Sequence, residues 1–201
     1  MTEKQTILAM YSGGLDSLYM VYKLLTSDEY SDKRVHIHHV HIHNVEDRFK
    51  AEALMVNAAL TELKQRGFTF IYSESKISSP AFRNNNKVSY MYDWDIVRFY
   101  AGWIASVNPD ISAIAIGREQ SDANGFTQYD SAAALANYFT DIPLIYPVMD
   151  MHKSEMYGKL PDWLKDKFWS CRTPIYQNNI PTKCGFCGTC KKLLKYNIGG
   201  S

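Results

Sequence analysis

Short apolar runs alternate along the chain with longer segments of helical periodicity. The short runs predict five strands, at residues 5–11, 35–43, 68–73, 112–116 and 144–146. Apolar residues at every third or fourth position predict helices at residues 15–26, 47–66, 93–107, 131–139 and 153–160. Alternating strands and helices usually form a parallel sheet covered on both faces. The sequence therefore predicts an α/β fold with a Rossmann-like parallel sheet, which binds its ligands beyond the carboxyl ends of the strands.

The pattern changes in the last fifth of the chain. Residues 1–161 carry the alternation of strands and helices, and we expect them to form a nucleotide-binding domain. Residues 162–201 lack this alternation and contain all four cysteines, so we expect a small metal-binding region there. A chain of 201 residues is long enough for one domain with such an appendage.

Charge and hydropathy exclude some classes of partner. The 22 basic and 21 acidic residues nearly cancel, which disfavours a broad electrostatic surface for nucleic acid. No apolar run approaches the roughly 18 residues that a membrane-spanning helix needs. The first residues also lack the pattern of a signal peptide. We therefore expect a cytoplasmic protein that binds neither membranes nor nucleic acid.

The segment SGGLDS separates the first predicted strand from the first helix. Glycines there permit positive φ angles, and the N–H groups at a helix N-terminus bind anions. A carboxylate beside a phosphate is favourable when a divalent cation bridges the two, so we assign Asp16 to Mg²⁺. The alternative for this segment is a tight turn that binds no ligand. The sequence has no G-x-x-x-x-G-K-[ST] motif, which excludes a Walker-type NTPase. The predicted ATP-binding residues of this segment are Ser12, Gly13, Gly14, Leu15, Asp16 and Ser17.

The four cysteines form a second candidate site. They are Cys171, Cys184, Cys187 and Cys190. C-x-x-C turns place their sulfurs on one side of a tight loop, and four thiolates suit tetrahedral Zn²⁺ in a structural site. An iron–sulfur cluster also accepts four thiolates, and unliganded or redox-active cysteines are a third alternative. We expect zinc, which would stabilise the C-terminal region.

These two motifs together resemble a known family. SGGLDS resembles the PP-loop of the N-type ATP pyrophosphatases, which implies an adenine nucleotide alpha hydrolase-like fold for residues 1–161. The spacing WSC-x₁₂-CGFCGTC is similar to the zinc site of 7-cyano-7-deazaguanine synthase. Residues 147–155 (PVMDMHKSE) and 116–126 also resemble segments of that family. The resemblance implies that a substrate oxygen attacks the α-phosphorus of ATP while the loop holds the leaving pyrophosphate.

The same resemblance implies a reaction. A carbon–nitrogen ligase of this kind converts 7-carboxy-7-deazaguanine to 7-cyano-7-deazaguanine with ATP and ammonia, in queuosine biosynthesis, and the family is usually dimeric. Two segments depart from the family pattern. Tyr92-Asp93-Trp94-Asp95 replaces Pro-Gly-Arg-Asn, and Asp130 stands where the family commonly has arginine. An acid at that position suits a carboxylate substrate poorly, so the substrate stays open within the superfamily.

Further site residues lie near predicted strand ends and before helices. We predict that Lys153 contacts ATP phosphates and is catalytic together with Asp16 and Ser17, the alternative being a surface lysine. His43 and Gly117 end two strands, so we expect both beside the nucleotide, whereas the other histidines of that strand are expected to pack rather than to bind a metal. The predicted substrate-binding residues are Tyr92, Trp94, Arg118, Asp122 and Phe126.

Two other functions remain open from the sequence. One is a PP-loop enzyme that modifies a tRNA base, as in thiolation, although the near-neutral charge and the use of every cysteine in one cluster count against it. The other is a nucleotide-binding protein without enzymatic activity. The departures at Asp95 and Asp130 keep this second alternative open.

Overall fold

A five-stranded parallel sheet forms the centre of the computed structural model, which describes residues 5–44, 46–78, 93–120 and 140–199, apart from the side chain of Trp94. Every pairing in this sheet is parallel. The spatial order β3-β2-β1-β4-β5 is that of a Rossmann-like sheet, so the predicted α/β fold is confirmed. The strands are β1 (Thr6–Met10), β2 (Arg34–His43), β3 (Ile71–Ser78), β4 (Ile111–Ile116) and β5 (Leu144–Ile145).

Helices cover both faces of the sheet. The helices are α1 (Leu15–Thr26), α2 (Phe49–Gln65), α3 (Asp93–Val107), α4 (Lys153–Lys159) and α5 (Gly188–Lys195), with short 3₁₀ turns at Asp28–Tyr30 and Asp162–Leu164. The buried side chains of α1 and α2 form one apolar cluster with the sheet, and those of α3 form another on the opposite face. The predicted helix at 131–139 lies outside the described residues.

Strand β1 is buried on both faces and fixes the position of the loop that follows it. Ile7 and Ala9 pack with α1 and α2, whereas Leu8 and Met10 pack with α3. This alternation is the ordinary consequence of the two-residue period of a strand, and a central parallel strand therefore has a continuous apolar sequence.

Strand β3 begins and ends later than the apolar pattern predicts. It pairs with β2 from Ile71 opposite His36 to Ser78 opposite His43. Phe68 and Phe70, which suggested the earlier start, pack against the apolar cluster of α1 and α2 instead. Because β3 lies at the edge of the sheet, its residues are half-buried or exposed, and its polar sequence hides the strand pattern.

The C-terminal region packs against the sheet domain. It contains a hairpin of β6 (Ile175–Gln177) and β7 (Ile180–Thr182), with Cys171 before the hairpin, Cys184 and Cys187 after it, and Cys190 within α5. Leu193 and Ile198 are buried in the same apolar cluster as α1 and α2. The sequence pattern changes at residue 161, but the residues after that position pack closely against the sheet domain. None of the helices that the structure describes is long and apolar enough to cross a bilayer.

Candidate phosphate and metal site

Hydrogen bonds between two serines hold the loop between β1 and α1. The Ser12 and Ser17 hydroxyl oxygens are 2.9 Å apart, and the Ser12 N–H donates to Ser17 Oγ at 3.2 Å. The Ser17 hydroxyl donates to the Gly14 carbonyl at 3.1 Å, while the Gly14 N–H donates to Ser12 Oγ at 3.3 Å. The chain therefore curls over the first turn of α1, where backbone N–H groups favour an anion.

Two glycines allow the loop to lie against its neighbours. Gly13 has φ +86°, and a Cβ atom there would lie 3.1 Å from the Glu52 carbonyl oxygen and 3.2 Å from Val56 Cγ2. Gly117, at the end of β4, packs directly on the backbone of Ser17. Glycine at both positions lets the loop and the first turn of α1 fit between α2 and β4.

We expect Gly117→Ala to destabilise the fold by about 1–3 kcal/mol, the usual cost of overpacking. The added methyl would lie 2.5 Å from Ser17 Cα and 2.6 Å from Ser17 N, and a backbone cannot rotate away as a side chain can. Urea unfolding measures the effect. Gly158→Ala is the matched control, because nothing lies within 4 Å of a Cβ at that position in α4. Equal unfolding free energies for the two variants would contradict this packing.

A polar cleft of about 420 Å³ opens beside the loop. This volume is within the range of small-molecule sites in proteins. The loop and α1, the start of α2, the segment after β4, the start of α4 and the C-terminal region each contribute to its walls. The cleft thus lies beyond the carboxyl end of β1, where a Rossmann-like sheet binds its ligands.

An ionic network crosses this cleft. Lys153 pairs with Asp16 and lies 3.4 Å from Oε1 of Glu119, and the ammonium group of Lys192 pairs with the same oxygen. The Glu119 side chain is only 2% exposed. A buried carboxylate without an opposite charge is costly in free energy. The two lysines therefore stabilise the charged form of Glu119 in the cleft. The two ammonium groups and two carboxylates balance, and the network joins α1 to the C-terminal region.

A second group of charges lies at the start of α2. The Arg48 guanidinium pairs with Glu46 at 2.9 Å, with Glu52 at 3.3 Å, and with Asp93. Arg172, from the C-terminal region, also pairs with Glu46 at 2.8 Å and with Asp93 at 3.4 Å. Burial raises the pKa of Glu52, and the neighbouring Arg48 offsets this only in part. These pairs fix one wall of the cleft with carboxylates and guanidinium groups.

The four cysteines converge, as the sequence predicted. Their Sγ atoms lie within 4.8 Å of one another and form, among the described residues, the group of side chains able to hold a metal ion. Backbone N–H groups and a hydroxyl point at the sulfurs, with Cys184 N 3.3 Å from Cys171 Sγ and Thr173 Oγ1 3.2 Å from Cys184 Sγ. Burial opposes ionisation of Cys184, but these donors to its sulfur, from Thr173 and two backbone N–H groups, lower its pKa to about 6.

The cysteine site adjoins the phosphate loop directly. The backbone N–H of Trp169 donates to the Gly13 carbonyl at 2.8 Å, and the indole N–H of the same residue donates to the Cys171 carbonyl at 2.9 Å. Cys171 and Cys190 are buried in one small apolar cluster with Ala51 of α2. The segment that carries the first metal ligand is therefore also a wall of the cleft.

Most of the residues predicted to bind ATP meet at the cleft. Ser12, Gly14, Leu15, Asp16 and Lys153 line it, while Gly13, Ser17 and Gly117 support its loop. His43 lies elsewhere, at a shallow depression beside α2, with its ring stacked on Phe49 at 3.6 Å between centroids. Arg118 is buried after β4, with its guanidinium 5.6 Å from the centre of the Tyr146 ring. The roles of these residues stay predictions.

The remaining predicted substrate residues fall outside the part of the chain that the structure describes. Tyr92, Asp122, Phe126 and the divergent Asp130 lie outside the described residues, as does the side chain of Trp94. Asp95 lies in the first turn of α3 and is half-buried.

The histidines of β2 pack as predicted. His36 and His38 both hydrogen-bond to Ser73 Oγ at 2.7 Å, and His39 Nδ1 contacts the Tyr11 carbonyl at 2.8 Å. Burial lowers the pKa of both His38 and His39 to about 4, so both rings are neutral near pH 7. Among the described residues, no histidine belongs to a group that could hold a metal.

Sequence reasoning missed several residues of the cleft. Glu119 follows the Gly117 strand end by two positions, and this place alone could have indicated it. Arg172 and Lys192 lie within two residues of a cysteine, so the sequence assigns them to the expected metal region. Their proximity to the loop comes from tertiary packing, for which the sequence carries no local signal.

Comparisons with known proteins add a distant likeness in structure. No protein-family model and no curated protein matches the sequence. The structure is similar to that of the U34-tRNA thiolase NcsA from Methanococcus maripaludis with its [4Fe-4S] cluster, at a TM-score of 0.49 and 16% sequence identity. The match covers 80% of this chain and 60% of the thiolase chain. At this identity, the substrate and the cluster of the thiolase are properties of that protein alone and are not assigned to this chain.

Proposed function

We propose that this chain is a PP-loop enzyme that adenylates a substrate with ATP and releases pyrophosphate. The observation that carries the proposal is the meeting of the SGGLDS turn, Asp16 and Lys153 in one cleft at the carboxyl end of β1. Loop N–H groups and the N-terminus of α1 suit the pyrophosphate that leaves the α-phosphorus. Asp16 is the residue that would hold Mg²⁺, which supplies charge neutralisation to the phosphates when bound.

The pair between Lys153 and Asp16 gives the site a way to accept a nucleotide. Without nucleotide the ammonium and the carboxylate neutralise each other. With MgATP bound, Asp16 would be the residue that holds the cation, and the ammonium of Lys153 would be available to the phosphate oxygens. Lys153 keeps Glu119 as a second carboxylate neighbour at 3.4 Å, so it stays near the cleft during the exchange.

The proposed substrate is a deazapurine carboxylate, with ammonia as the nitrogen donor. A carboxylate oxygen would attack the α-phosphorus of ATP, so that pyrophosphate leaves and a mixed anhydride with AMP forms. Ammonia would then displace AMP and give the amide. The amide oxygen would attack the α-phosphorus of a second ATP and release a second pyrophosphate, and loss of AMP together with both amide protons would leave the nitrile. The sequence resemblance across SGGLDS and CGFCGTC supports this substrate class and a homodimer, and the near-neutral net charge supports the absence of a nucleic-acid partner.

We further propose that the four cysteines hold structural zinc. A tetrahedral ion with Zn–S bonds of about 2.3 Å places its sulfurs about 3.8 Å apart. The Sγ atoms of Cys184 and Cys190 are 4.0 Å apart, and all four lie within 4.8 Å of one another, which supports a single ion. In a four-iron cluster each thiolate binds a separate iron atom, which requires a wider spread of sulfurs.

The nitrile assay tests the proposed substrate. We expect protein incubated with ATP, Mg²⁺, ammonia and 7-carboxy-7-deazaguanine to form 7-cyano-7-deazaguanine, detected by mass spectrometry. Pyrophosphate release should depend on the carboxylate, and a reaction without Mg²⁺ is the control. Pyrophosphate release with other nucleobases but no amide or nitrile would refute the substrate and keep adenylation. No pyrophosphate release with any of these compounds would refute both.

A further inference from the structure

The C-terminal region supplies a lysine to the cleft that no motif predicts. We propose that Lys192 of α5 is a second phosphate-contacting residue of the nucleotide site, in addition to Lys153. This inference rests on the proposed ATP-binding function and adds a residue from outside residues 1–161. It assigns the cysteine-rich region a part in nucleotide binding as well as in stability.

Lys192 and Lys153 converge on one atom. Both ammonium groups pair with Oε1 of Glu119, and both line the cleft together with Ser12 and Asp16. The backbone helps to place Glu119 beside Lys153, because the N–H of Gln120 donates to the carbonyl of Met151 at 3.0 Å and so joins the segment after β4 to the one before α4. Two cations are therefore held side by side facing the phosphate loop.

The burial of Glu119 suits a positioning role between these cations. Two ammonium groups near one another repel, and a carboxylate between them removes that cost while both stay charged. An ammonium group offers three N–H donors, which lets it contact Glu119 and phosphate oxygens at once. A triphosphate brings negative charge spread over several oxygens, so two lysines can serve it better than one.

The cysteine site determines where Lys192 lies. Cys187 caps the N-terminus of α5, because its side chain accepts a hydrogen bond from the N–H of Cys190. Cys190 and Leu193 are both buried, on the two sides of Lys192 in the sequence. Lys191, the residue before Lys192 on the helix, is exposed and does not line the cleft. The chain thus offers its own matched control.

Binding measurements with Lys192→Gln and Lys191→Gln test the proposal. Titration calorimetry of the full-length protein with MgATP, and separately with inorganic pyrophosphate, gives affinities that do not depend on the identity of the acceptor substrate. We expect Lys192→Gln to weaken both by about tenfold or more, as for loss of a hydrogen bond between charged groups. Lys191→Gln should stay within about twofold of the unaltered chain, and Lys192→Arg should restore most of the affinity by keeping the positive charge.

Each other outcome has a definite meaning. Affinities of Lys192→Gln equal to those of the unaltered chain would overturn the role of Lys192 and leave the proposed function standing. Failure of the unaltered chain to bind MgATP and pyrophosphate would overturn both. Loss of metal from Lys192→Gln together with lost binding would assign the lysine to holding α5, and would also overturn the proposal, so the metal content is measured for every variant.

Discussion

Replacing Cys187 by serine is expected to remove the metal ion and to abolish nucleotide binding. Cys187 is one of four converging thiols and also caps α5. Serine is a favoured N-cap residue and can still accept that hydrogen bond, so the substitution removes a metal ligand and leaves the cap in place. Structural zinc sites bind with an apparent free energy on the order of 10 kcal/mol, which far exceeds the stability of one short helix. Metal per chain, measured by elemental analysis, should fall from one to near zero, and aggregation should increase.

The matched control lies in the same turn. Phe186 is 63% exposed and offers no ligand atom, so Phe186→Ala should retain one metal ion and full nucleotide binding. A Cys187→Ser variant that kept one ion per chain would contradict the proposed four-thiolate site. A variant that lost the ion but bound MgATP normally would show that the metal region does not shape the cleft.

Loss of the metal should also weaken nucleotide binding, because residues 169–171 contact both the phosphate loop and the cysteine site. Trp169 donates its N–H to the Gly13 carbonyl and packs with Cys171, so disorder among the cysteines frees one side of the loop. Lys192 would be displaced at the same time, since α5 carries it. The strands of the central sheet do not depend on these contacts, so far-ultraviolet circular dichroism should retain the signal of the sheet and of α1 and α2.

The parts of the site that the sequence predicted are those with a local cause. The turn at residues 12–17 needs glycines, small hydroxyl residues and a helix start within six positions, and the structure has all of these in place. Three of the four cysteines are close in the sequence, and the spacing of C-x-x-C turns restricts how their sulfurs can lie. Lys153 was predicted from its place in a segment that resembles a family, and it does line the cleft.

The parts that the sequence did not predict depend on topology. Glu119 and Lys192 are 73 positions apart and meet because β4 ends beside β1 while α5 packs on the same end of the sheet. The bounds of β3 follow from its pairing with β2, from Ile71 to Ser78, and its own half-exposed sequence gives only a weak strand pattern. His43 ends a strand as predicted, but the side chain stacks on Phe49 of the next helix, which no periodicity could indicate.

Replacing Asp16 by alanine is expected to abolish pyrophosphate release while the fold remains intact. The carboxylate is the residue proposed to hold Mg²⁺ at the phosphates, and loss of such a contact should slow the reaction by at least about a hundredfold. Stability should change little, because Lys153 still has the Glu119 carboxylate at 3.4 Å and is not left buried without an opposite charge. Pyrophosphate release under saturating MgATP and thermal unfolding measure the two effects separately.

Asp162→Ala separates this effect from the loss of any carboxylate–lysine pair. Asp162 pairs with Lys165 at 2.8 Å but is 95% exposed and lies at a 3₁₀ turn away from the cleft, so its removal should leave the rate unchanged. Pyrophosphate release by Asp16→Ala at the rate of the unaltered chain would show that the loop does not carry the reaction. A large loss of thermal stability in Asp16→Ala would instead assign the carboxylate to holding Lys153. The combination of lost turnover and unchanged stability is what distinguishes a magnesium ligand from a structural ion pair, because only the former acts through the nucleotide.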